Sequence, residues 1–125
     1  MMMRGLAASA ALGLLLGGIT VWAAPLIVTI VFGESYAPAA APLRVLAGGS
    51  LLVFSTWILH AAAISINLDR RLFVTTAIGL LVNVAFNILF IPRWGIRGAA
   101  WATVLAEALT VVLLGAQVER RLRRP

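Results

Sequence analysis

The sequence predicts an all-α integral membrane protein, and three observations point to that class. Hydrophobic residues make up 62% of the 125 residues and charged residues 11%, whereas a soluble domain is about half apolar and a quarter charged. The apolar residues form four runs, each as long as the ~20 residues that a membrane-spanning helix requires. The breaks between the runs contain glycine, proline and charged residues, which favour turns.

The four runs predict helices over residues 6–32, 39–66, 72–91 and 98–118, followed by a basic tail over residues 119–125. The segments GESYAP, NLDRR and PRWGIRG between them are short, so consecutive helices should be antiparallel neighbours in a single membrane domain, residues 1–125. The second run is longer than the hydrocarbon core requires. We therefore expect its first turns to lie at the membrane interface, where the Arg44 side chain would extend to the headgroups.

The first run permits a second interpretation, because it also resembles a secretory signal. Arg4 would be the charged region of that signal, and Val21 and Ala23 would be the small residues before a cleavage site. The apolar run continues to Phe32, however, and Pro25 lies close to the supposed site. These two features favour an uncleaved first helix.

The distribution of arginine predicts the orientation of the chain. If both termini are cytoplasmic, seven arginines lie inside: Arg4, Arg70, Arg71, Arg120, Arg121, Arg123 and Arg124. Arg44, Arg93 and Arg97 then lie outside, and this excess agrees with the positive-inside rule. Tyr36 and Trp94 would lie at the outer interface, which aromatic rings favour. The absence of lysine, together with abundant alanine, favours a GC-rich bacterial genome, and we therefore expect a multi-pass protein of a bacterial plasma membrane.

Five polar residues within the runs are candidates for a transport path or for polar contacts inside the membrane: Glu107, Asn83, Asn87, Thr103 and His60. A carboxylate costs about 2.5–3.5 kcal/mol on insertion scales and almost always faces a bundle interior or water. Glu107 shares a helical face with Thr103, and Asn83 shares one with Asn87. Counted from the turn between their helices, Glu107 and Asn83 lie at similar depth. We expect the two polar faces to meet or to share a cavity near the bilayer midplane.

The residues alone leave the roles of these side chains open. Glu107 could be a structural hydrogen-bond partner, or it could take part in proton coupling or substrate passage. His60 could relay protons, or it could donate a hydrogen bond to a neighbouring helix. Arg93, Arg97 and Arg44 could anchor the chain at the interface, or they could contact an anionic substrate such as a pyrophosphate or a sugar acid.

The turn between the third and fourth runs is rich in residues that control the backbone. Pro92 should end the third helix because it lacks an amide hydrogen, and Gly95 and Gly98 should permit the reversal. Small residues then recur at spacings of four, three and four: Gly95, Ala99, Ala102 and Ala106. This stripe predicts close contact between the fourth helix and a neighbouring helix.

Several classes of function have no support in the sequence. There is no cysteine, and a single histidine leaves no cluster of metal ligands. Paired carboxylates, a nucleophile triad and a phosphate-binding loop are missing, so we expect neither an enzyme nor a cofactor. A net charge of +6 would suit nucleic acid, but the arginines stand at the ends of the apolar runs, where membrane lipids are the expected partners.

Two segments, IVFGESYAPAAAPLRVLAGGSLLV and NVAFNILFIPRWGIRGAAWATVLAEA, resemble the C-terminal part of polysaccharide biosynthesis proteins. These are flippases for lipid-linked oligosaccharide, O-antigen and exopolysaccharide, in the multidrug/oligosaccharidyl-lipid/polysaccharide exporter superfamily. The resemblance covers about residues 6–114. Its specific positions are Phe32, Gly33 and Tyr36, then Ile91, Pro92, Gly95, Ile96, Gly98, Ala99, Ala100, Ala102 and Thr103.

The resemblance implies a transporter of a dozen or more helices in two lobes, which moves a polyprenyl-pyrophosphate-linked oligosaccharide across the membrane. Four helices would supply only the last third of such a bundle. The remaining helices of the transporter are therefore expected partners, and the isolated fragment is expected to be inactive. One alternative is a related exporter of drugs or of a peptidoglycan precursor. Another is a small membrane protein that does not transport and only binds or scaffolds a partner.

Overall fold

The computed structural model describes residues 2–123, except for the side chains of Met2, Met3 and Leu6, and the regular structure in this range is helical. Its elements are α1 (Met2–Phe32), a 3-10 helix (Glu34–Ala39), α2 (Ala40–Gly48), α3 (Ser50–Ser65) and α4 (Asp69–Leu122). The all-α class predicted from the sequence is therefore confirmed. Arg124, one of the seven arginines assigned to the cytoplasmic side, lies outside the described residues.

One narrow face of α1 packs against α2 and α3, and small residues bring these helices close together. A Cβ atom added at Gly13 would lie 2.8 Å from a ring carbon of Phe54, and one at Gly17 would lie 2.6 Å from the carbonyl oxygen of Ala47. Ser50 donates a hydrogen bond of 3.0 Å to the carbonyl oxygen of Gly13 across this contact. Because lipid provides no hydrophobic drive for helix association, membrane helices depend on close approach of this kind.

The second apolar run forms two helices rather than the single helix expected over residues 39–66. The segments Glu34–Gly48 and Ser50–Ser65 are bent by 41° relative to each other. Gly49 lies at the bend, where a Cβ atom would be only 2.7 Å from a methyl carbon of Val104 in α4. The glycine therefore provides the space in which α4 approaches the bend. This contact between distant segments leaves no signal in the local sequence.

Helix α4 reverses direction at Gly95, whose φ of 56° and ψ of −137° are far from helical values. We call residues 69–94 the first arm and residues 96–122 the second arm. The arms lie side by side, as shown by the hydrogen bond of 2.9 Å that Gln117 donates to the hydroxyl oxygen of Thr75. One hairpin therefore places the two arms antiparallel to each other.

The second arm packs along a row of residues spaced at intervals of four. The buried members are Gly98, Ala102, Ala106, Thr110, Leu114 and Val118. The predicted stripe coincides with this row at Ala102 and Ala106, whereas Gly95 is exposed and Ala99 is half-buried. Gly98 is needed for close approach, since a Cβ atom there would lie 2.5 Å from the carbonyl oxygen of Phe90.

The prediction that Pro92 ends the third helix is wrong. Pro92 lies inside α4, and the helical backbone continues past it to the reversal at Gly95. Proline removes one hydrogen bond to the carbonyl four residues earlier, but its fixed φ is compatible with a helix. Helix α4 also begins at Asp69 and reaches Leu122, beyond the predicted bounds. The charged residues that bound the apolar runs thus mark a change of environment and not the ends of helices.

Helix α3 runs parallel to the second arm of α4. Gly49 lies against Val104 and Leu59 lies 3.9 Å from a Cβ atom added at Gly115, so the residue numbers increase in the same direction along both helices. The far end of this contact is closed by an apolar cluster, here called the end cluster. Its buried members are Ala63, Leu68, Leu114 and Val118.

The outer surface of the helices is apolar. Trp22 is 82% exposed and Trp57 is 70% exposed, together with many leucine, isoleucine and valine side chains. The segment Ala7–Phe32 and helix α4 are long and apolar enough to cross a membrane, and α2 with α3 adds a third span if the bent pair is one span. The chain is therefore a membrane-embedded helical protein whose exposed apolar side chains contact lipid.

Alanine at position 95 should destabilise the fold by about 1–3 kcal/mol, because a side chain is strained at this backbone conformation. Gly18→Ala is the matched control, since Gly18 lies within α1 with open space where its Cβ would be. Alanine there should be neutral or stabilise by up to about 1 kcal/mol. Unfolding by titration with sodium dodecyl sulfate measures both effects. Equal midpoints for the two variants would contradict the reversal at Gly95.

Candidate functional site

A cleft of about 230 Å³ lies where α3 meets both arms of α4, and several polar side chains contribute to its largely apolar lining. We call it the central cleft. Its lining residues are Thr56 and His60 from α3, Thr76, Gly79, Leu80 and Asn83 from the first arm, and Thr103, Ala106, Glu107 and Thr110 from the second arm. The structure thus brings together four of the five polar candidates: Glu107, Asn83, Thr103 and His60.

The hydrogen-bond partner of Glu107 comes from α3. The Thr56 hydroxyl lies 2.8 Å from Oε2 of Glu107, and Thr56 is only 7% exposed. The sequence led us to expect the polar partners of Glu107 on the first arm, which shares the cleft without bonding to the carboxyl. Thr56 was not among the candidates. Its position one turn before His60 marks a polar face of α3, but only the packing shows that this face meets Glu107.

The Thr56 hydroxyl has two neighbouring acceptors and one proton. It lies 3.0 Å from the carbonyl oxygen of Leu52, in addition to its contact with Glu107. When Glu107 is ionised, Thr56 can donate its proton to the carboxylate. When Glu107 is protonated, the carboxyl can donate to Thr56, which then donates to Leu52. A carboxylate can only accept from Thr56, whereas a protonated carboxyl can either donate to Thr56 or still accept from it.

His60 contributes an imidazole whose Nε2 is buried. Among the described residues, this nitrogen has no hydrogen-bond partner. The ring packs edge-on against Trp57, with 6.4 Å between ring centroids. A buried ring nitrogen without a partner is costly unless water or another group satisfies it. His60 therefore places in the central cleft a buried polar atom that the described part of the fold leaves without a hydrogen-bond partner.

Asn87 is the candidate that does not line the cleft. Its side-chain nitrogen donates to the main-chain oxygen of Asn83 at 2.8 Å and to the side-chain oxygen of Asn83 at 3.0 Å. Asn87 thus orients the Asn83 amide, which does line the cleft. Thr103 lines the cleft as well, with its hydroxyl donating to the carbonyl oxygen of Ala99 at 3.1 Å.

A second pocket, the turn pocket, lies beside the reversal of α4 and has a volume of about 660 Å³. Its lining residues are Phe90, Arg93, Trp94, Arg97, Trp101 and Leu105. Both arginines are exposed, and in the part of the chain that the structure describes neither forms an ion pair. The rings of Phe90 and Trp94 are 5.1 Å apart. The pocket therefore combines two free positive charges with aromatic surface.

Arg44 lies apart from the other two candidate arginines, beside α1. Its Nε donates a hydrogen bond of 3.1 Å to the carbonyl oxygen of Val21. Val21 is four residues before Pro25, which has no amide hydrogen to give to that carbonyl. An unsatisfied carbonyl is expensive in a membrane. Arg44 therefore supplies the donor that proline removes from α1.

The contact between Gln117 and Thr75 was also missed from the sequence. Thr75 is 1% exposed, and its hydroxyl accepts the hydrogen bond that joins the two arms. Thr75 adjoins Thr76, and Gln117 lies two residues before Glu119, so no spacing pattern singles out either residue. No group of three histidine, aspartate or glutamate residues that could hold a metal ion occurs within the described range.

The bond between Arg44 and Val21 should be coupled to Pro25. Arg44→Gln should destabilise the protein by about 1 kcal/mol, since a hydrogen bond is lost. In a Pro25→Ala background, the alanine amide can donate to the Val21 carbonyl, so Arg44→Gln should lower the stability by less. A double-mutant cycle based on thermal unfolding in detergent measures the coupling. Additive effects would show that Arg44 does not replace the missing amide.

Comparison with known proteins gives one informative similarity. Over 87 residues, covering 70% of this chain, the sequence is 33% identical to a protein of the archaeon Haloferax volcanii that is described as a probable low-salt glycan biosynthesis flippase. The chain spans only 18% of that relative's length. No family model and no solved structure matches the chain. The similarity is to a transport protein rather than to an enzyme, and it supports a flippase-like relationship.

Proposed function

We propose that this chain forms part of a transporter that moves a lipid-linked glycan precursor across a membrane. The similarity to a glycan biosynthesis flippase carries the proposal. The central cleft supports it, because a carboxyl and several hydroxyl and amide groups between apolar helices are typical of a substrate or ion pathway. The remaining helices of the transporter would complete the path, since such paths form between two repeats or lobes.

We also propose that the chain crosses the membrane four times. The spans would be α1, the bent pair α2 and α3, and the two arms of α4. Each arm has about 26 residues, which is more than the ~20 that a span requires. The parallel course of α3 and the second arm fits this arrangement. The excess of arginine on one side favours cytoplasmic termini in a bacterial plasma membrane. The similar flippase from Haloferax volcanii, in contrast, is archaeal.

This topology predicts a labelling pattern, and the natural absence of cysteine makes the test direct. Cysteine introduced at Ser35 or Arg97 should react with an impermeant maleimide added outside intact cells. Cysteine at Asp69 should react only after the cells are permeabilised. The reverse pattern would show that the orientation is inverted. Labelling of Asp69 and Arg97 from the same side would show that the first arm does not cross the membrane, so that α4 does not cross it twice.

Within the proposed transporter, the central cleft provides the intramembrane polar contacts. Glu107 would be the group that exchanges a proton, with Thr56 as its hydrogen-bond partner, and His60 would add a ring nitrogen that has no partner among the described residues. Asn83 and Thr103 provide uncharged polar surface beside them, and Asn87 positions the Asn83 amide. Glu107 would thereby couple proton exchange to movement of the helices around the cleft.

The turn pocket is suited to the anionic part of a lipid-linked glycan. Arg93 and Arg97 carry guanidinium groups that bind phosphate oxygens through paired hydrogen bonds. Trp94 and Trp101 add flat aromatic surface beside these charges. The arginines would contact the pyrophosphate of the substrate or the phosphates of the membrane surface. Arg44 belongs to a different part of the fold, where its hydrogen bond with Val21 gives it a structural role.

A chimera tests the proposed function. The segment of the Haloferax flippase that aligns with this chain is replaced by the 87 matched residues, and the chimera is expressed in cells that lack the flippase. Biosynthesis of the low-salt glycan should be restored, whereas the 125-residue chain alone should not restore it. A chimera that accumulates at the parental level without restoring the glycan would contradict the proposal.

A chimera whose exchanged segment is chosen to include Thr56, Thr103 and Glu107 separates the two roles of Glu107. Glu107→Gln retains hydrogen bonding with Thr56 but cannot exchange a proton, so glycan transfer should fall at least about tenfold while the protein level stays constant, as expected for loss of a general acid or base. Thr103→Ser, which keeps a hydroxyl in the cleft, is the matched control and should leave transfer nearly unchanged. Normal transfer by the glutamine variant would leave Glu107 a purely structural role.

A further inference from the structure

Three arginines converge at the end of the bundle opposite the Gly95 reversal. Arg71 in the first arm and Arg120 and Arg121 in the second arm line a pocket of about 330 Å³ together with Asn67 and Leu68. The proposed transport function assigns no role to this pocket. We propose that it binds the phosphate group of an anionic phospholipid, and we call it the arginine pocket.

The positive charge in the arginine pocket is not neutralised by the fold. Within residues 2–123, the one salt bridge joins Arg123 to Glu119, and neither residue lines the pocket. Arg120 and Arg121 lie in the last turn of α4, where the helix dipole favours cations. Arg71 lies near the first turn, where the dipole adds further positive charge. Three guanidinium groups thus share one pocket, and none of them forms an ion pair with an acidic group of residues 2–123.

The pocket is built on a packed part of the fold. Leu68 is buried in the end cluster, and its amide donates a hydrogen bond of 2.9 Å to the carbonyl oxygen of Ala63. Asn67 has a φ of 56°, a left-handed conformation that turns the chain between α3 and α4. These contacts fix the segment that carries Arg71 against the helix that carries Arg120 and Arg121. The backbone positions that carry the three arginines are therefore fixed near one another by the packing of the fold.

The position of the pocket favours a lipid over a soluble anion. The arginines lie at the ends of the two arms of an apolar helix, and the ends of a membrane-spanning helix lie at the depth of the lipid headgroups. Apolar side chains lie beside them in the sequence, with Phe73 75% exposed and Leu122 56% exposed. Acyl chains can cover those side chains while guanidinium groups bind the phosphate. A zwitterionic lipid carries its own cation and would gain less from the pocket.

Native mass spectrometry of the purified chain with phosphatidylglycerol and phosphatidylcholine tests the proposal. The unmodified chain should bind phosphatidylglycerol more tightly. Arg71→Gln with Arg120→Gln should weaken that binding by about 25-fold, on the basis of about fivefold for each cation near an anionic lipid. Arg4→Gln with Arg70→Gln is the matched control. It removes the same charge from exposed arginines that do not line the pocket, and it should change the affinity by less than about threefold.

Three outcomes would overturn the assignment. Equal affinity of the unmodified chain for the two lipids would show that the pocket does not select an anionic headgroup. An equal loss in both double variants would show that only net charge matters. Displacement of phosphatidylglycerol by an equal concentration of inorganic pyrophosphate would assign the pocket to a soluble anion. Circular dichroism of both variants verifies that the helices are retained, and the comparison of lipids in the unmodified chain does not depend on either substitution.

Discussion

The left-handed backbone at Gly95 determines which side chains of α4 can meet. Without that reversal the helix would continue as one rod of 54 residues, and Thr75 could not accept a hydrogen bond from Gln117. With it, the two arms lie antiparallel, and the row of small residues from Gly98 onwards allows them to approach closely. The central cleft exists because α3 then packs against both arms at once. One glycine conformation therefore underlies the polar site as well as the packing.

Most of the serine and threonine hydroxyl groups find an acceptor within their own helix. The hydroxyl groups of Ser9, Thr20, Thr29, Ser55, Thr103 and Thr110 donate to carbonyl oxygens four residues earlier. Such bonds allow serine and threonine to face lipid without an unpaired donor. Polar contacts between helices are consequently few. Among those described, the bonds of Thr56 with Glu107 and of Thr75 with Gln117 join side chains on different segments. Arg44 donates to the carbonyl oxygen of Val21, which Pro25 leaves without its usual amide donor.

Composition was sufficient to predict a helical membrane protein, and periodicity was sufficient to predict that Glu107, Asn83 and Thr103 lie on inward faces, where all three line the central cleft. Both depend only on local spacing, which an α-helix converts directly into geometry. The partner of Glu107 was missed because spacing identifies the inward face of a helix but not the helix opposite it. The bend at Gly49 was missed for the same reason, since it accommodates Val104 from a distant segment. The helix through Pro92 shows that a helix can continue a few residues past a proline and end at a glycine that follows it.

The contacts between α3 and the second arm differ in polarity. Gly49 with Val104 at one end and the end cluster at the other are apolar. Thr56 with Glu107 lies between them, and the Thr56 hydroxyl donates to the carboxyl. A carboxyl between membrane helices needs such a donor, because an unpaired polar group is costly there. The apolar contacts at the two ends hold α3 against the second arm, so that Thr56 stays within hydrogen-bond distance of Glu107.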